Sequence, residues 1–349
     1  MGAADPCEVI LGASTTQLLQ NLAKALAHQF QPGDELIVTN CDHQANIEPW
    51  ANLATSRNLK LKTWNVNQNT WSLELDDLKP LLTDRTKLVS FTQTSNVLGT
   101  IHPVKEYVQF IRTYCPGGRV CVDGVAYSPH GPMQVADWDV DFYSVSFYKC
   151  YGPHISAFYS KKQHLETLSN INHFFLEDEL TYKLQPGNLN FELTYGLTGV
   201  LDYLVGLDKL DSSNAIASDK TGNESLGTNV ALAKAFQLIA NQERALQTKL
   251  LDFLNSKSNV RVIGRSDPDR SQRVPTISFV VDGMKSSSIV EQVDPHGIGI
   301  RFGHFYAYHL IESLGLHEND GVVRVSMVHY NTVEEVDRLI EVLDGAIEK

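Results

Sequence analysis

Short apolar strand patterns alternate with helical patterns over the first two-thirds of this chain, which points to an α/β sheet. Residues 35–39, 61–64, 87–91 and 119–123 read as strands, and so do 141–146 and 155–159. Leu18, Leu19, Leu22, Ala23 and Leu26 recur at helical spacing behind Ser14, Thr15 and Thr16, which supply N-cap candidates. The spacing predicts a crossover helix over 104–114. Several strands end in polar residues. That pattern locates any ligand, because open α/β sheets bind outside the carboxyl ends of their strands.

A chain of 349 residues exceeds one ordinary core, so a large and a smaller domain are expected. A second region begins after Tyr203. Residues 208–228 are rich in Ser, Asn, Asp and Gly and read as a flexible insertion. Beyond it, 230–254 is helical by pattern, with Thr228 and Asn229 as N-cap candidates, and 276–281 and 322–326 are strands. The last helix, over 332–347, starts behind Asn331. The expected division is a large domain over 1–205, a linker over 206–228 and a small C-terminal α+β domain over 229–349.

Composition excludes several function classes. A net charge of -12 with no Lys/Arg run argues against nucleic acid as a partner, since phosphate contacts need clustered cations. No apolar run is long enough for a membrane span, and the start lacks the basic and apolar regions of a secretory leader. The five cysteines (Cys7, Cys41, Cys115, Cys121 and Cys150) have no metal-ligand spacing and form no CxxC pair. Reduced packing thiols in a cytoplasmic protein without a metal are the expectation. The fingerprints of Rossmann dehydrogenases, P-loop NTPases, zincins and α/β-hydrolases are missing.

What remains is a set of polar residues at predicted strand ends. Asp123 closes one strand and Lys149 follows another. A buried lysine loses affinity for its proton and becomes a nucleophilic amine, as Schiff-base chemistry requires. A buried aspartate suits a pyridinium nitrogen. Taken singly, such an aspartate is ordinarily a cap and such a lysine ordinarily a surface residue.

Five ordered motifs change that balance. Asp42-His43-Gln44-Ala45-Asn46-Ile47-Glu48-Pro49-Trp50 resembles the His-Ala-Asn segment of cysteine desulfurases, and Thr94-Ser95-Asn96-Val97-Leu98-Gly99-Thr100 resembles their Ser-Asn-Val-Leu-Gly segment. Val122-Asp123-Gly124 and the run from Asp141 through Lys149 to Pro153 resemble the aspartate and lysine motifs. Val323-Arg324-Val325-Ser326 with the segment from Tyr330 to Asp337 looks like the arginine strand and closing helix. The chain is therefore identified as a member of the class V aminotransferase family, within a desulfurase-like subgroup.

The resemblance implies fold type I, a homodimer, and pyridoxal 5'-phosphate held by Lys149 as a Schiff base. It implies that His43 stacks on the cofactor and takes part in catalysis, and that Asp123 meets the ring nitrogen. Asn96 would reach the ring edge or the substrate. Ser14, Thr15, Thr16, Ser146 and Tyr148 would contact the phosphate, Tyr148 standing where the family has a histidine. Asn188 would reach a neighbouring subunit's phosphate, and Arg324 would clamp the carboxylate of an amino-acid substrate.

Three departures accompany the match. Tyr306 stands at the family's catalytic cysteine, which argues against persulfide formation. Cys150 is a poor substitute, because a strand would point it away from Lys149. Ala126 replaces a glutamine that contacts the ring's phenolic oxygen, and family members carry a segment ahead of the phosphate-loop strand that this sequence lacks. The expected function is a carbon–sulfur or carbon–carbon lyase reaction on an amino acid. The alternatives are an epimerase, an aminotransferase, or a fold member without turnover that serves as a binding partner.

Overall fold

The computed structural model describes residues 1–176, 179–207 and 224–348. In chain order its strands are β1 (Val9–Gly12), β2 (Glu35–Thr39), β3 (Lys60–Trp64), β4 (Thr86–Thr92), β5 (Arg119–Asp123), β6 (Phe142–Ser146), β7 (Ser156–Ser160), β8 (Val260–Ile263), β9 (Thr276–Val281), β10 (Arg301–Gly303) and β11 (Val322–Ser326). One sheet has the order β1-β7-β6-β5-β4-β2-β3 and the other β10-β11-β9-β8. From β3 to β6 the first sheet is parallel. β7 runs antiparallel to both its neighbours, β6 and β1. The second sheet is antiparallel throughout.

The large sheet is covered on both faces, so its central strands are apolar runs without alternation. On one face, helix Val104–Tyr114 lays down Val104, Tyr107, Val108 and Ile111, spaced as one helical stripe, against Trp64, Phe91 and Val122. On the other, Leu18 and Leu22 of helix Thr15–Leu26 join Trp50 and Leu53 to cover Leu36, Leu88 and Phe142. Each such leucine contributes about 1.5–3 kcal/mol by leaving water. The small sheet buries one face, Ile277, Phe279, Val323 and Val325, under helices Glu224–Ser256, Ser286–Val293 and Val333–Ile347.

The two sheets meet at the turn after β4. Val274 donates to the Gly99 carbonyl at 2.9 Å, and Ser278 Oγ donates to the Val97 carbonyl at 2.6 Å. Gly99 has φ +70, and a Cβ there would lie 2.3 Å from the Thr276 carbonyl oxygen. Only glycine fits that approach.

Three expectations need correction. The helix expected to begin at 230 runs Glu224–Ser256, so Thr228 and Asn229 lie inside it rather than at its start. Residues 208–223 of the expected linker lie outside the described residues. Thr332, not Asn331, caps the last helix, in a capping box with Glu335. Lys149 is not at a strand end: β6 stops at Ser146, and the lysine closes a single 3-10 turn, Phe147–Lys149.

Candidate active site

The residues singled out in the sequence follow the carboxyl ends of β1, β2, β4, β5 and β6, which lie at one end of the large sheet. β1 delivers Ser14, Thr15 and Thr16 to the start of a helix. Ser14 Oγ accepts the Gln17 amide at 3.1 Å, so it is the N-cap. Thr15 is buried, and its hydroxyl reaches the Val145 carbonyl at 3.2 Å and Ser146 Oγ at 2.9 Å. Ser146 Oγ in turn meets Ser156 Oγ at 2.9 Å. Thr16 is exposed on the first turn. The Thr15 and Thr16 amides at the start of that helix have no hydrogen bond among the described residues, as is usual for the first amides of a helix.

β2 leads into Asp42 and His43. His43 caps the one-turn helix Gln44–Asn46, its Nδ1 accepting the Ala45 amide at 3.1 Å. Burial, then the charges of Lys149 and Arg324, lower its pKa to about 4. Its ring stacks on Tyr306 with centroids 5.1 Å apart. Asp42, whose side chain was assigned no role in the sequence, is buried beside it. Asp42 accepts from Thr39 and from Asn46, the latter at 2.9 Å. Asn46 takes a hydrogen bond from Ser90, and Ser90 takes one from Trp50. Burial pushes Asp42 up to about 8; the Thr39 and Asn46 hydrogen bonds oppose the shift and the Asp123 charge adds to it.

Asp123 ends β5. Its Oδ1 accepts the Val125 amide at 2.9 Å, and its other oxygen has no hydrogen-bond partner among the described residues. Burial raises its pKa, opposed by the Val125 amide and by the charge of Lys149. The Lys149 ammonium has no ion pair within 4 Å and no hydrogen bond among the described residues. Its closest described ring contact is Tyr148, with Nζ 5.8 Å from the centroid. Burial lowers its pKa, the charge of Asp123 resists, and that of Arg324 adds to the fall. A lysine so placed is a nucleophilic amine in search of a partner. Tyr148 is half exposed and stacks on His154, centroids 5.0 Å apart.

The small sheet supplies Arg324 from β11. Its guanidinium lies 3.8 Å from the Phe305 ring centroid, and Nη1 donates to the Asn96 carbonyl at 2.9 Å. Burial lowers its pKa to about 10, which leaves it a cation at neutral pH. Asn96 Nδ2 donates to the Phe305 carbonyl at 2.7 Å, while its buried Oδ1 has no partner among the described residues. Phe305 and Tyr306 carry φ +49 and +62, left-handed values that no sequence pattern announces for aromatic residues.

His43, Asn96, Asp123, Lys149 and Arg324 thus converge, coupled by charge and by the loop Phe305–Tyr306. Asn188 does not join them. It is exposed and lines a cleft of about 250 Å³ with Gly12, Ala13, Gln17 and His154, beside the first turn of helix Thr15–Leu26. Cys150 is excluded for a different reason from the one expected: it packs against Val200, Leu204, Phe236 and Ile239 and donates to the Ser128 carbonyl. Burial pushes its thiol up to about 12. No described helix is long and apolar enough to cross a membrane.

Comparison with known proteins is consistent with this geometry. The aminotransferase class-V family model matches residues 1–225 and 225–339. An aminotransferase-like protein of Gibberella zeae is 42% identical over 341 residues, 97% of this chain and 78% of that protein. A cysteine desulfurase-like protein of Aspergillus flavus is 34% identical over 358 residues, 98% of this chain and 74% of that one. The solved cysteine desulfurase CsdA of Escherichia coli superposes with a TM-score of 0.80 at 27% identity, covering 99% of this chain and 80% of its own. The seven-stranded sheet with its smaller antiparallel companion is the fold-type-I architecture, and the chain belongs to the class-V aminotransferase family of pyridoxal-phosphate-dependent enzymes.

Proposed function

We propose that this chain uses Lys149 to carry pyridoxal 5'-phosphate and acts on an amino acid in a carbon–sulfur or carbon–carbon lyase reaction that forms no persulfide. One observation carries the reading. Lys149 is a partly buried amine without an ion-pair partner among the described residues, and it is coupled by charge to the buried Asp123, which has an oxygen without a hydrogen bond among them.

The residues present fit the cofactor. The unused Asp123 oxygen suits a ring N–H, and the unpartnered Asn96 Oδ1 suits a phenolic hydroxyl or an amine. The amides at the start of helix Thr15–Leu26, with Thr16 exposed on the first turn, suit a phosphate. When bound, the cofactor supplies an electron sink for bonds at the substrate Cα.

The chain's own groups do the rest. The fork of Arg324, held flat by Phe305, keeps donors free to orient a carboxylate. Lys149, whose hold on its proton is weakened by burial and by Arg324 and strengthened by Asp123, takes or returns a proton at Cα. The five cysteines lie at 7, 41, 115, 121 and 150, none on the loop beside His43, so no thiol is placed to receive sulfur. That loop carries Tyr306.

The test is spectroscopic. Purified protein loaded with pyridoxal phosphate should absorb as a lysine conjugate, and borohydride should fix the cofactor to the peptide containing Lys149. An amino-acid panel should then shift that absorbance and release a product without protein-bound sulfur. Label on any other lysine, or the same spectrum from Lys149→Ala, overturns the assignment.

A further inference from the structure

We propose that Tyr306 is a positioning residue which, with the Ala45 amide, holds His43 as a fixed hydrogen-bond donor from Nε2, leaving proton transfer at the substrate Cα to Lys149 alone. This rests on the proposed function for its chemical consequence, but not for its geometry.

The argument begins with the tautomer. A backbone N–H only donates, so the Ala45 amide, 3.1 Å from His43 Nδ1, requires a lone pair there. The single proton of the neutral ring then sits on Nε2. A second proton could bind only at Nδ1, where it would set donor against donor and break the turn that His43 caps. It would also add a cation near Lys149 and Arg324, the two charges that already bear on this ring. Asp42 offers no relief, since its oxygens are occupied by Thr39 and Asn46. His43 is therefore opposed as a base by its backbone, its burial and its charged neighbours together.

Tyr306 supplies the wall. Its ring stacks on His43 at an interplanar angle of 25°, although 67% of the residue stays exposed. Burial of that ring does not explain its position. Two consecutive non-glycine residues at positive φ cost about 1–3 kcal/mol each, so the turn persists only where its surroundings over-determine it. They do here: Asn96 donates to the Phe305 carbonyl at 2.7 Å, and Gln44 donates to the Tyr306 carbonyl at 2.7 Å. The Tyr306 amide donates to His304 Nδ1 at 3.0 Å. One of these anchors is the residue after His43. The strained turn and the histidine loop are thus fastened to each other, and the aromatic contact is what the fastening produces.

The consequence concerns reaction class. Inversion at Cα by two bases needs a proton acceptor on each side of the substrate. A site whose one base is confined to one face of the substrate exchanges the α-proton of one enantiomer and does not interconvert the pair. That favours the lyase reading over an epimerase.

The experiment uses the full chain labelled with 15N-histidine, read by long-range proton–nitrogen correlation with and without pyridoxal phosphate. His43 is assigned by the signal lost in His43→Gln. The Nε2–H tautomer should hold from about pH 8 to 5, below the ordinary histidine midpoint of about 6.5. An Nδ1–H signal, or a midpoint at the ordinary value, overturns the proposal. Tyr306→Phe should leave the tautomer and midpoint unchanged, and Tyr306→Ala should move the midpoint upward by roughly one pH unit or more. Tyr306→Leu serves the same purpose if the alanine variant fails to fold. An unmoved midpoint in both removes Tyr306 from the account. In deuterated water, α-proton exchange confined to one enantiomer supports a single base, and racemisation overturns it. Failure to take up the cofactor with the tautomer intact would instead sink the proposed function.

Discussion

Two buried aspartates sit at opposite ends of neighbouring strands, and they are treated in opposite ways. Asp141, just before β6, meets Arg112 at 2.6 Å, His164 at 2.8 Å and Lys161 at 3.2 Å, and takes the Val120 amide at 2.7 Å. Burial alone would raise its pKa, but His164 and Arg112, with Lys161, hold it well below the usual carboxylate range. Asp123, at the end of β5, has one amide and a lysine that makes no ion pair with it, and its pKa is raised. A carboxylate whose bonds are all filled by the chain is an anchor. One left half-filled in the interior is a functional-site candidate, and under the proposed function its open oxygen would meet the cofactor ring.

The comparison breaks first at the active end. Asp123→Asn keeps the shape but loses the charge, so turnover of the loaded enzyme should fall by about a hundredfold or more while the fold is retained. Equal turnover in the variant would show that Asp123 is only a cap. At the other end, Asp141→Asn should destabilise the chain by about 1–3 kcal/mol in denaturant unfolding, because the buried charge-assisted bonds to Arg112 and His164 are lost while Asp139 still pairs with Arg112 and Lys161. A loss under about 1 kcal/mol would mean that solvent screens the cluster.

The pH dependence should separate the pair with opposite signs. Asp141 has a depressed folded pKa, so its stabilisation is present above the unfolded value of about 3.9 and disappears as pH falls below it. Asp123 has a raised folded pKa, so without cofactor its contribution declines as pH rises above about 3.9. Cofactor-free Asp123→Asn should therefore lose less stability than the parent between acid and neutral pH. Arg324→Lys keeps the charge but not the planar fork or the stack on Phe305, and carboxylate affinity should weaken by about 2 kcal/mol, roughly thirty-fold. Smallest, Thr332→Ala removes half of a capping box far from both aspartates, with about 1 kcal/mol lost and cofactor uptake unchanged.

Elements set by one dominant signal were legible in the sequence. β5, β9, β11 and helix Val104–Tyr114 are apolar runs or stripes with clear ends, and they fall where expected. The start of helix Glu224–Ser256 was not, because its first turns include Ser225, Gly227, Thr228 and Asn229, residues of weak helical preference. In the site, Lys149 and Asp123 stand out because charge beside an apolar strand is conspicuous. Asp42 was hidden by the stronger neighbour it precedes: its burial depends on Thr39, Asn46 and Ser90 closing around it, which no spacing encodes. The left-handed turn at Phe305 and Tyr306 was invisible for the same reason, being imposed by Asn96 and Gln44 from elsewhere in the chain.

The close approach at Gly99 has an effect on selectivity. It presses the Asn96 turn onto the start of β9, so Arg324, Asn96 and the end of β4 form one block with no hinge at that seam. Under the proposed function, the gap between Arg324 and Lys149 would then act as a ruler: an amino acid would be accepted when its α-carboxylate and α-carbon span it, and groups beyond the α-carbon would be sorted by whatever room the loop of Tyr306 leaves.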